Sequence, residues 1–160
     1  MSRLAILALR ILLVLVLIGL LFAQVVVIPI ASLEFGEAFG SQAVGLFYAT
    51  TGIAFVACVE VALLAIWMLL SMVRREAIFS GRAFRWVDVI IGAGIAATAV
   101  AIANACHLYF VIEPRLDAPG IIVLAGTAVL GAASFVVLMV VMRGLLRSAT
   151  ALQGELAEVV

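Results

Sequence analysis

The sequence predicts an all-α integral membrane protein: an antiparallel four-helix transmembrane bundle with both termini in the cytoplasm. Composition comes first, since 68% of the 160 residues are apolar and 11% charged, against roughly half and a quarter in soluble domains. The mean hydropathy of +1.43 extends over the whole chain, which excludes disorder and low-complexity repeats. With two cysteines and three prolines the chain is no secreted disulfide scaffold either. Finally, apolar runs of the length a bilayer demands, about 20 residues at helical rise, occur four times.

The first span covers about residues 4–30, interrupted only by Arg10 and Gln24, and is too long for a signal-peptide core; no small-x-small cleavage pattern follows it. The second covers 44–73 and carries Glu60; the third covers 86–112 and the fourth 121–142. Ala31–Ala43 and Glu113–Gly120 are expected as short outer connections, so neighbouring helices run antiparallel and one four-span membrane domain accounts for residues 1–160. In the middle connection Ser80 is placed to cap a helix starting at Gly81, with Phe79 stapled onto Phe84. Residues 143–160 are expected as a cytoplasmic amphipathic helical tail. There Met142, Leu145, Ala149, Leu152, Leu156 and Val159 recur at alternating spacings of three and four, the pattern of a helix seeking a partner.

Direction follows from arginine, the only basic residue in the chain apart from His107. Eight of nine arginines fall on the N-terminus, the middle connection and the tail, with only Arg115 opposite, which places the eight on the cytoplasmic side. Setting Glu76, Asp88, Glu155 and Glu158 against the eight leaves +4 inside; setting Arg115 against Glu34, Glu37, Glu113 and Asp117 leaves −3 outside. The inner patch suits anionic membrane lipid. No basic stripe with stacking aromatics accompanies it, so no direct nucleic-acid binding is expected.

The run Arg75 to Ala96, with Ile78-Phe79-Ser80 before the third span, together with the tail from Leu145 to Val160, resembles the domain of unknown function 2975 family of small four-span bacterial membrane proteins. The resemblance covers the span layout of essentially the whole chain. It implies a bacterial cytoplasmic membrane location and a helix-turn-helix regulator encoded nearby as a partner, and brings no catalytic residues. Members often carry Asn shortly after the Phe-Ser pair, where this chain has Arg82 and Ala83.

Small residues four apart allow close helix approach in lipid. They mark Ala93, Ala97, Ala101 and Ala105, beside Gly92 and Ala96, as the packing face of a central third helix; Gly45, Ala49 and Gly52 serve in the second, and Thr127 and Gly131 in the fourth. Polar groups at depth need their own account, since an ionisable residue at mid-helix costs roughly 2.5–3.5 kcal/mol. Counting at helical rise puts Gln24, Thr50, Thr51, Asn104, His107 and Thr127 in one layer roughly 7–12 Å below the outer surface, and Glu60 with Thr98 and Ser134 at roughly 20–24 Å.

Two accounts stand side by side. Gln24, Thr51, Asn104, His107 and Glu60 form a ligand or proton site, or they are interhelical hydrogen bonds that set register. Catalytic motifs are absent, a lone histidine supports neither haem nor zinc, and the chain is expected to be non-enzymatic, without metal or cofactor. Cys58 and Cys106 differ in depth by roughly 12 Å and are expected as free thiols. The expected role is that of a regulatory or sensing partner acting through the arginine-bearing connection and through Leu145, Leu152 and Leu156 of the tail. The alternative is small-ligand binding or proton-linked transport at Glu60, as a homo-oligomer.

Overall fold

The computed structural model describes residues 3–73, 81–116 and 119–158, with side chains up to Thr150 in the last segment; all described regular structure is helical. Four helices are long and apolar enough to cross a membrane: Ile6–Ala38, Gln42–Met72, Ala83–Arg115 and Pro119–Thr150. The protein is a multi-pass membrane protein, and its all-helical, four-span class is the one the sequence predicts.

Two of the four rods are composite. The first consists of α1 (Arg3–Phe22), a π-helical turn π1 (Ala23–Val27) and α2 (Ile28–Ala38). The third consists of α4 (Gly81–His107), π2 (Leu108–Ile112) and α5 (Glu113–Leu116). Between and after them run α3 (Gln42–Val73) and α6 (Pro119–Glu158). Each π turn ends two residues before a proline, Pro29 or Pro114. Proline lacks the N–H that would close the next α-helical bond and crowds the preceding turn. The ladder responds by widening one turn: Ile28 N–H donates to Ala23 and Glu113 N–H to Leu108, five residues back.

The helices outrun the apolar spans, because hydropathy marks where hydrocarbon ends and a helix continues as long as its backbone is satisfied. Most of the connection expected at Ala31–Ala43 is therefore helix, leaving Phe39 to Ser41 as the turn. Gly40 takes the left-handed conformation there (φ 59°). Its N–H donates to Glu37 (3.0 Å) and that of Ser41 to Gly36 (2.9 Å), the paired bonds that close a helix with a glycine after its cap. Glu113–Gly120 is likewise helical up to Leu116 and again from Pro119. The expected Ser80 cap with its Phe79 staple, and residues 74–80 of the middle connection, lie outside the described residues, as do the side chains of Leu152 and Leu156.

The antiparallel bundle is assembled from consecutive pairs. The first rod packs on α3, α3 on α4, and the third rod on α6; among the described residues the backbone of the first rod comes close to neither the third rod nor α6. The seam between first and last rods is open. Few of the described side chains are consequently buried, Ala65, Ala83, Ile90, Ala97 and Ile112 among them, and α6 buries none fully as far as Thr150.

Close approach occurs at glycines. Gly45 lies against Gly36 and Ser32 of α2, where a Cβ would stand 2.5 Å from the Ser32 carbonyl oxygen, and Gly94 lies against Val136 of α6. Ala97 is buried as the expected stripe requires, whereas Gly92 and Ala96 are exposed. Thr127 and Gly131 face away from α4, so the contact face assigned to the fourth span is corrected: α4 offers Gly94, and α6 answers with Phe135 and Val136.

Candidate functional site

In the half that the arginine distribution assigns to the outer side, the α3–α4 seam carries a hydrogen-bonded polar cluster. The Thr51 hydroxyl lies 2.9 Å from Asn104 Oδ1, with the Phe47 carbonyl at 2.8 Å as its alternative acceptor. Asn104 in turn donates from Nδ2 to the Val100 carbonyl at 3.1 Å, one turn back in its own helix. One turn closer to the outer surface the Tyr48 hydroxyl lies 2.9 Å from His107 Nδ1, donating to it when the ring carries its proton on Nε2. Phe47 stacks on the imidazole (4.3 Å between ring centres), and Tyr48 meets it edge-on. His107 is thereby held on two sides, at the last residue of α4 before π2 opens.

Tyr48 is the residue missing from the polar layer counted on the sequence. Its depth matches, but an aromatic at the end of an apolar span reads as an interface anchor. Pro29 and Pro114 are the sequence signal of the two π turns, and Gln24 lies inside π1 and donates to the Ile53 carbonyl of α3 at 3.3 Å. Gln24 thus bridges the first rod to α3, separately from the Thr51–Asn104 and Tyr48–His107 pairs.

Thr50 and Thr127 share the depth but are exposed and return their hydroxyls to their own helices. Beside Tyr48, a shallow groove of about 330 Å³ runs between the first and third rods, lined by Ile28, Phe35, Tyr48, Gly52 and Leu108.

The deeper level is different. Glu60 has one carboxylate oxygen, Oε1, buried with no hydrogen-bond partner. Thr98 donates to Gly94 in its own helix and Ser134 is exposed, so the three do not form the expected cluster. Seven residues along α3 from Glu60, on the same face, Trp67 carries the Arg10 guanidinium of α1 over its ring at 5.4 Å, with Arg10 Nε buried and unpartnered. Helical spacing thus sets Glu60 on the face of α3 that Trp67 turns towards α1, and Glu60 and Arg10 each have an unmet polar atom.

At the cytoplasmic end, as the arginine distribution assigns it, Arg143 of α6 pairs with Asp88 of α4: Nη2 donates to Oδ2 at 3.0 Å and Nε lies 2.5 Å from Oδ1. Leu145, assigned to the tail interface, is exposed on the side of α6 away from this pair, together with Met142 and Ala149. Cys58 and Cys106 are free, and among the described residues no cluster of histidine, cysteine or acid suits a metal ion.

No curated protein and no solved structure matches the chain. A family described as "Protein of unknown function (DUF2975)" matches residues 23–160, from the π turn of the first rod to the end of the tail. That match takes in the second half of the first span, the other three spans and most of the length, and the chain belongs to the DUF2975 family.

Proposed function

We propose that the protein is a non-enzymatic regulatory or sensing partner in the bacterial cytoplasmic membrane, acting through the arginine-bearing connection and the tail. The observation that supports this most is the course of α6. Asp88 opposite Arg143 sets an antiparallel register in which Gly81, the first described residue of α4, falls level with Thr150. The helix nonetheless runs unbroken to Glu158, about 12 Å further at 1.5 Å per residue. It emerges with Met142, Leu145 and Ala149 exposed on the face turned away from α4, the first members of the tail's apolar repeat. A partner helix, such as one from a helix-turn-helix regulator, would complete that surface, so that any contact with nucleic acid is the regulator's.

The test is the double substitution Leu152→Asp and Leu156→Asp in the full chain, with partners captured from native membranes. Loss of a captured regulator with the four-span core still folded is the expected result; unchanged capture overturns the reading.

A second reading has its own support in the unpartnered Glu60 Oε1. An intramembrane acid with an unmet oxygen suits a small polar ligand or a proton in transit. As four rods enclose little volume, this reading brings in a homo-oligomer. Glu60→Gln in reconstituted vesicles, read by a pH-sensitive dye, separates it from the first: proton flux that is lost in the variant supports it, and an identical trace rejects it.

A further inference from the structure

We propose that the inner end of the α4–α6 seam is a binding site for the phosphate of an anionic phospholipid headgroup. A cavity of about 260 Å³ opens there, lined by Phe84 of α4 and by Arg143 and Arg147 of α6. The two arginines are one helical turn apart and project from the same face. Arg143 is oriented by Asp88, which occupies one edge of its guanidinium; a guanidinium has five N–H donors, so at least two remain for an anion. Arg147 is exposed beside it, and Phe84 supplies an apolar wall.

Charge and depth both select the occupant. Two arginines against one carboxylate leave the cavity positive. The apolar run of α6 ends at Met142, which puts Arg143 and Arg147 at the headgroup level of the bilayer. Basic pockets between membrane helices at that level recognise lipid phosphates, and guanidinium matches phosphate in a two-pronged geometry.

The route for the acyl chains is present on the same flank of the seam. Ile95 lies seven residues deeper than Asp88, about two turns into the hydrocarbon, and Val140 three residues deeper than Arg143, just inside it; both are more than half exposed. An acyl chain laid along Ile95 and Val140 leads to a phosphate between the arginines. The site needs only that the four rods span the bilayer and is independent of what the tail or Glu60 does.

The experiment uses the full-length protein in a neutral detergent, titrated with phosphatidylglycerol or phosphatidylcholine, with bound lipid counted by native mass spectrometry and thermal stability followed in parallel. Phosphatidylglycerol is expected to bind and raise the melting temperature where phosphatidylcholine does not. Arg147→Gln should weaken that binding about fivefold, the worth of one arginine at a charged surface. Arg147→Lys should restore part of it, and Asp88→Asn, which removes the competing carboxylate, should at least preserve it. Equal binding of the two lipids overturns the proposal, as does wild-type binding by Arg147→Gln with its fold intact. Millimolar inorganic phosphate reproducing the stabilisation in the absence of lipid would identify a small-anion site and likewise overturn it.

Discussion

The two seams on either side of α3 are built from similar material and finished differently. Towards α4, the outer half pairs Thr51 with Asn104 and Tyr48 with His107, and stacks Phe47 on the imidazole. Towards α1, Glu60 and Arg10 each keep a buried polar atom without a partner. In hydrocarbon a polar group is tolerated when its bonds are made inside the protein, and one left unmet costs free energy that packing must offset. The outer α3–α4 seam has its side-chain hydrogen bonds made within the protein. The α1–α3 seam leaves polar atoms unmet, and the proposed role of Glu60 rests on that difference.

That contrast can be broken most forcefully at the outer turn, which holds the first rod and α3 in place for both seams. Gly45→Leu would drive a side chain into the Ser32 carbonyl and the Gly36 backbone, contacts that cannot move aside. It should destabilise the protein by about 3 kcal/mol, seen as a large drop in detergent melting temperature. Retention of the wild-type melting curve would mean that α2 and α3 are not in close contact. The fastening itself is weaker. Asn104→Leu removes Thr51's side-chain partner, and Tyr48→Phe removes the hydroxyl opposite His107; each should cost about 1 kcal/mol. A double-mutant cycle between Thr51→Val and Asn104→Leu should give a positive coupling, and its absence would demote the contact to coincidence.

Glu60→Gln sharpens the comparison from the other side. If the carboxylate contributes nothing to the fold, the melting temperature should stay within what about 0.5 kcal/mol would produce, while any proton-dependent or ligand-dependent signal disappears. Collapse of the variant in detergent would instead assign Glu60 a structural partner. The smallest effect belongs to Thr127→Val. That side chain lies at the depth of the Asn104 layer but points away from it and bonds only to the Val123 carbonyl, so stability should be unchanged within error in the same melting assay.

Depth was readable from the sequence and azimuth was not. Counting at 1.5 Å per residue placed Gln24, Thr51, Asn104, His107 and Thr127 at one level, and the contacts of α3 with Gln24 and Asn104 agree with that ruler. Which way each side chain points depends on which neighbours a helix has. A ring of four would turn two faces of α6 inward; the observed succession of pairs turns one, and so Thr127, Gly131 and Ser134 fall outside. Gly94 was overlooked for the same reason, as its importance lies in the Val136 side chain that α6 brings against it. The π turns are invisible to a count that assumes a constant rise, although a proline near the end of each rod announces them.

The open succession of rods also sets how much of the molecule belongs to its solvent. A closed square of helices has an inside and an outside; four rods joined only edge to edge have two broad outsides, and the fatty-acyl chains wet both. The long apolar side chains displayed by α1 and α6, from Leu7 to Phe22 and from Val123 to Leu145, are the perimeter of such a slab.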